Sequence, residues 1–85
     1  NVAGGIKITE PASDLAICLA IASSYFDKVL PKGALALGEV GLLGEVREVV
    51  AEDKRIKEGR RLGFNYPISQ KQTRFVSEAI KKYLR

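Results

Sequence analysis

The sequence contains no histidine and only one cysteine, Cys18. Zinc sites in proteins are built mainly from cysteine and histidine ligands, so a zinc site within this chain is not expected. A single cysteine also excludes an internal disulfide. Because Cys18 lies in an apolar run, it is predicted to be a buried, unreactive thiol.

Long hydrophobic runs are absent as well. The longest, Leu15 to Ala22, has eight residues, whereas a helix that crosses a bilayer needs about 20. The first residues have neither the basic start nor the apolar core of a secretion signal. We therefore expect no membrane partner.

At 85 residues the chain is one small domain. Domains of this size bury only roughly 60–65% of their unfolded surface, so a partner would add stability. Residues 1–50 carry four cations and six carboxylates, a net charge of −2, and residues 51–85 carry ten cations and four carboxylates, a net charge of +6. The basic half indicates attraction to a polyanion, with a solvated helix face as the alternative.

The first half of the chain predicts a strand, a helix and a hairpin. Val2–Thr9 is strand-like, and Ser13–Phe26 is predicted to be a helix capped by Thr9 or Ser13. Its segment Leu15–Ala22 has no polar face, which predicts burial on nearly all sides, against a sheet and against another helix or subunit.

The hairpin prediction depends on glycines between two β-patterned runs. Ala34–Leu37 and Val46–Val50 are the expected arms. Gly41 and Gly44 can adopt positive φ in the turn, and Gly38 would allow another part of the backbone to approach closely.

The second half predicts a helix over Asp53–Leu62 that ends at Gly63, a short edge strand over Phe64–Ser69, and a last helix over Gln72–Leu84. With the first half, this order indicates an α+β fold in which a small mixed β-sheet packs with helices.

A basic stripe is predicted on the second helix. Lys54, Lys57 and Arg61 recur at spacings of three and four residues and so share one face. Ile56 and Gly59 face the other way, toward the sheet. The stripe is the candidate nucleic-acid contact.

Several segments in order resemble the C-terminal Lon-protease-like domain of the bacterial RadA family, also called Sms, whose members are DNA repair and recombination ATPases. The segments that carry the resemblance are Gly4–Glu10, Ser13–Ala16, Gly38–Arg47, Arg55–Glu58 and Leu62–Phe64. It covers most of residues 1–85 and implies a fold like the proteolytic domain of Lon protease, which is similar to ribosomal protein domain 2.

The resemblance also implies that this is a fragment. The family has a four-cysteine zinc finger and a RecA-like ATPase core, so ATP, magnesium and zinc are implied only for those domains, and no cofactor for this chain. This sequence has no phosphate-binding loop and no cysteine pair. The family domain also has a strand and helix before Asn1 and a longer segment between Ile68 and Val76, so the fold is expected to be incomplete.

The related proteases use a serine and a lysine. By the resemblance, the serine position falls on Ala12, beside Ser13, and the lysine position falls on Asp53, beside Lys54. A shift of one residue rotates a helical side chain by about 100°, so a neighbour does not substitute. We therefore expect no catalytic residues, with Ser13 as a helix cap and Asp53 complementing the helix dipole.

Three functions follow from the resemblance. The first is a non-catalytic domain of a cytoplasmic DNA repair ATPase, which closes a hexameric ring and contacts DNA during branch migration, beside a RecA-type recombinase. The second is a Lon-type serine–lysine peptidase that uses Ser13 and Lys54. The third is an interaction module of another ATPase. We favour the first.

Overall fold

The computed structural model describes residues 10–85. Within these residues the chain forms a 3₁₀ turn, three α-helices and four short strands, which confirms the α+β class. In chain order these elements are the 3₁₀ turn Pro11–Ser13, α1 Asp14–Phe26, β1 Ala34–Ala36, β2 Glu39–Val40, β3 Val46–Arg47, α2 Glu52–Arg61, β4 Tyr66–Ile68 and α3 Val76–Tyr83. The strand predicted over Val2–Thr9 lies outside the described residues.

Within residues 10–85 the strands form two separate pairs rather than one mixed sheet. β1 and β4 are parallel, with Leu35 opposite Pro67, and β2 and β3 are antiparallel, with Val40 opposite Val46. Pro67 cannot donate a backbone hydrogen bond, so it suits the edge position predicted for β4.

The predicted hairpin is present, but its first arm was assigned wrongly. β2 pairs with β3, whereas the apolar run Ala34–Leu37 contributes β1, which pairs with β4. Gly44 has a φ of 82°, as predicted, and Gly41 does not adopt positive φ. Instead, the Glu45 carboxylate occupies the space in which a Cβ at Gly41 would lie.

Gly38 confirms the prediction of a close approach. A Cβ at this position would lie 2.7 Å from Cγ1 of Val46. The Gly38 carbonyl accepts a hydrogen bond from the Leu15 N–H, and the Gly38 N–H donates to the Ala12 carbonyl, at 3.0 and 3.1 Å. The hairpin is thereby attached to the start of α1.

The core lies between α1, α3 and the strands. Its buried residues come from every layer of the fold: Leu15, Leu19, Val46, Ile68, Ala79 and Tyr83. On α1, Leu15, Leu19 and Ala22 recur every three to four residues and face this core.

Within residues 10–85, α1 is not buried on nearly all sides, contrary to what the apolar sequence had predicted. Ala20 is exposed and Ile21 is 64% exposed. Cys18 is half-buried rather than buried. The reason is that the described elements pack against only one side of the helix.

Two helix starts also differ from the prediction. Ser13 makes no capping hydrogen bond to α1. The 3₁₀ turn before α1 is capped by Glu10, whose carboxylate accepts from the Ala12 N–H at 3.3 Å. α3 begins at Val76 rather than Gln72. Before it, Ser69 is buried and its N–H donates to the side chain of Gln72 at 2.8 Å, so this segment forms turns.

Candidate nucleic-acid interface

The basic surface is carried by α2, whose ends match the helix dipole. Glu52 and Asp53 lie in its first turn, and Arg60 and Arg61 lie in its last. The chain leaves the helix at Gly63, which has a φ of 97° that residues with a Cβ rarely adopt. The predicted bounds of this helix are confirmed to within one residue.

One side of α2 is buried against the rest of the fold. Glu52 is 3% exposed. Gly59 is also buried, and a Cβ there would overlap with the Leu35 side chain, so the close packing predicted for Gly59 is confirmed. The carboxylate oxygens of Glu52, in the first turn of the helix, have no hydrogen-bond partner among residues 10–85.

The stripe faces away from that buried side. At about 100° per residue, Lys54, Lys57 and Arg61 point roughly opposite to Glu52 and Gly59. All three stripe residues are exposed. Helix geometry therefore gathers them on the side of α2 that faces solvent.

The three stripe cations differ in how they are paired. Arg61 binds the Glu58 carboxylate at 2.6 Å, which lowers the pKa of Glu58 and raises the pKa of Arg61. Lys54 and Lys57 form no ion pair within residues 10–85. Lys54 and Lys57 can therefore bind an external phosphate without first breaking an ion pair to another described residue.

Two further arginines on α2, beside the stripe, also differ in their bonding partners. Arg55 donates through Nε to the Val50 carbonyl at 2.9 Å and lies 3.6 Å from the Glu10 carboxylate. Arg60 is exposed and forms no ion pair in the described part of the chain. Arg60 follows Lys57 by three residues, a spacing visible in the sequence, so it joins the candidate set.

The two positions that correspond to the protease serine and lysine differ in burial and in their contacts. Ala12 is buried and lines a cavity of about 200 Å³ together with Val49, Val50 and Arg55. Ser13 is half-buried. Asp53 binds Lys71 at 2.7 Å, and the Asp53 carboxylate raises the pKa of Lys71. Asp53 thus links the start of α2 to the turn before α3.

None of the three α-helices within residues 10–85 has the length and apolar character needed to cross a bilayer. The same range holds no group of three or more histidine, cysteine, aspartate or glutamate side chains that could bind a metal ion.

Similar sequences come from bacterial DNA repair proteins. The protein named DNA repair protein RadA from Aquifex aeolicus is 42% identical over 83 residues, which is 98% of this chain and 19% of that protein. The chain is related to RadA over nearly its whole length. RadA of Mycolicibacterium smegmatis is 52% identical over 64 residues, and RadA of Escherichia coli is 47% identical over 68.

The matched part of each RadA protein is small. The alignments cover 75% of this chain and 14% of the Mycolicibacterium smegmatis protein, and 80% of this chain and 15% of the Escherichia coli protein. The chain thus spans less than a fifth of the length of these RadA relatives. No family model matches the sequence.

Proposed function

We propose that this chain is the C-terminal, Lon-protease-like domain of a RadA-type DNA repair and recombination ATPase, and that it acts without peptidase chemistry in ring assembly and DNA contact. The observation that carries the proposal is the 42% identity to a DNA repair protein RadA across 98% of the chain. The hairpin and α2, whose sequences carry the family resemblance, are both present as folded elements.

The chemistry of the dyad positions supports a non-catalytic role. Alanine at position 12 has no nucleophile, and Asp53 is engaged with Lys71. A lysine that acts as a general base must be uncharged, which proteins achieve by burial or by neighbouring cations. Lys54 is exposed to solvent rather than buried.

Assembly and DNA contact would use different surfaces. Exposed apolar side chains outside the core favour contacts with further protein, and the cations on α2 favour contacts with phosphates. In this proposal ATP, magnesium and zinc bind to other domains of the intact protein. The intact protein works in the cytoplasm on DNA, as a hexameric ring, together with a RecA-type recombinase.

The test of the assembly role compares the intact protein with a version that ends before Glu10. We expect the intact protein to sediment as a ring and the truncated one to sediment as smaller species, because the truncated protein lacks the proposed contacts. Circular dichroism of the truncated protein serves as the control for folding of what remains. Ring formation that persists without this chain would contradict the proposal.

The peptidase alternative gives a separate prediction. We expect no turnover of a fluorogenic peptide above background by the intact protein, with or without ATP. Replacing Ser13 by alanine should leave that background unchanged, because Ser13 is not expected to act as a nucleophile. Turnover that disappears on Ser13→Ala, while Ser77→Ala leaves it intact, would establish the peptidase function instead.

A further inference from the structure

The tip of the β2–β3 hairpin presents two leucines to solvent. Leu42 is fully exposed and Leu43 is 87% exposed. Adjacent exposed leucines at the end of a projecting hairpin are unfavourable in water, and such surfaces commonly mark sites of protein contact. We refer to residues 41–44 as the hairpin tip.

The hairpin tip is held in one conformation by hydrogen bonds. The Gly44 N–H donates to the Gly41 carbonyl, and the Gly41 N–H donates to the Glu45 carbonyl, both at 2.9 Å. The Glu45 carboxylate accepts from the Leu43 N–H at 3.0 Å and binds Arg47 at 2.7 Å. The hydrogen bond from Arg47 lowers the pKa of Glu45, so the carboxylate keeps these contacts near neutral pH.

A concave groove, which could accept a projecting segment such as the hairpin tip, lies between α2 and β1. It has a volume of about 500 Å³, within the range of pockets that accept small apolar groups. Four large apolar side chains line it: Leu35, Leu37, Leu62 and Phe64. Leu62 is 60% exposed, so an inserted side chain would bury new apolar surface.

The charges around the two features are complementary. The hairpin segment 39–48 carries three carboxylates and one cation, a net charge of −2, and α2 carries five cations and three carboxylates, a net charge of +2. At the groove itself lie Lys54, Arg55 and Glu58, a net charge of +1. A second copy of this chain therefore offers both the apolar tip and the opposite charge that the groove favours.

We infer that the hairpin tip of one copy docks in the α2–β1 groove of a second copy. This inference rests on the proposed role in assembly and names its contact. The contact is head-to-tail, because each copy contributes a different surface, and such contacts extend into rings or filaments. The groove lies at roughly a right angle to the centre of the stripe around α2, so Lys57 and Arg61 stay free for phosphates, whereas Lys54 borders both surfaces.

The test uses two variants of this chain that each lack one half of the contact. Leu42→Ser with Leu43→Ser removes the tip, and Leu62→Lys places a charge in the groove. Each variant alone should show no change in its amide NMR spectrum with concentration. A mixture should form a one-to-one pair through the remaining intact tip and intact groove.

Isotope labelling assigns the two surfaces. With ¹⁵N in the Leu62→Lys chain and the tip variant unlabelled, the amides of residues 41–44 should shift. With the labels reversed, the amides of Leu35, Leu37 and Phe64 should shift. A contact this small predicts association weaker than micromolar, which NMR titration detects. Val29→Ser, at a side chain 69% exposed and outside both surfaces, is the matched control and should associate like the unmodified chain.

Two outcomes would overturn the inference: no shifts in the mixture, or shifts that fall outside the tip and groove. Sedimentation of the intact protein separates this failure from failure of the proposed function. A ring that survives the tip substitutions removes this contact and leaves the assembly role in place.

Discussion

Replacing Lys54, Lys57 and Arg61 together by glutamine is expected to weaken binding of the intact protein to double-stranded DNA and to flatten its dependence on salt. Each lost phosphate contact reduces the slope of log K against log salt by about 0.9, so three contacts remove about 2.7. The measurement is fluorescence anisotropy over a series of salt concentrations.

The physical basis is counterion release. A cation that binds a phosphate displaces an ion condensed on the DNA, and the entropy gained is larger at low salt. Lys54 and Lys57 are exposed and unpaired within residues 10–85, so they can contact a phosphate without breaking an ion pair. Arg61 must share its guanidinium with Glu58, so we expect the smallest single effect from Arg61→Gln.

The matched control removes the same charge elsewhere. Lys28, Lys32 and Lys81 are exposed cations outside α2, and their replacement by glutamine should reduce the slope by well under one unit. Arg60→Gln, added to the three stripe substitutions, should lower the slope further. Equal losses from the stripe and control variants would mean that binding follows net charge and that α2 is not the interface.

Leu19→Ala is expected to cost about 3 kcal/mol of unfolding free energy, in the range that buried leucine truncations show. Leu19 is completely buried in the core, so its truncation leaves a cavity among α1, α3 and the strands. A domain of this size has a total stability of roughly 4–13 kcal/mol, so a large part would be lost.

Urea unfolding followed by circular dichroism measures this loss. Ile21→Ala is the matched control, because it truncates a large aliphatic residue of the same helix at a position that is 64% exposed. The control should cost less than about 1 kcal/mol, since little apolar surface is uncovered. Similar costs at both positions would show that α1 packs differently from the structure described above.

The sequence predicted helices best where local signals agreed. For α2, acidic residues at the start, arginines at the end and Gly63 beyond them each indicate the same bounds. For α3 the apolar positions predicted a helix, but Gln72 was included wrongly. The side chain of Gln72 accepts from the Ser69 N–H, a turn contact that periodicity does not reveal.

The candidate site was predicted in part. The spacing of Lys54, Lys57 and Arg61 placed them on one face because helix geometry depends only on sequence separation. The sequence did not reveal that Arg61 is paired while Arg60 is unpaired among the described residues, since that depends on side-chain conformation. The groove beside α2 was also missed, because β1 and α2 are brought together only by folding.

The order of amino acids alone therefore determined the α+β class, the first helix, predicted over Ser13–Phe26, the glycine turn and the basic face of α2, because each follows from contacts between residues close in the chain. Tertiary structure decided that Ala34–Ala36 pairs with Tyr66–Ile68 rather than with the next strand. It also decided that α1 buries only one side. Strand partners and burial depend on residues distant in sequence, and local pattern carries little information about them.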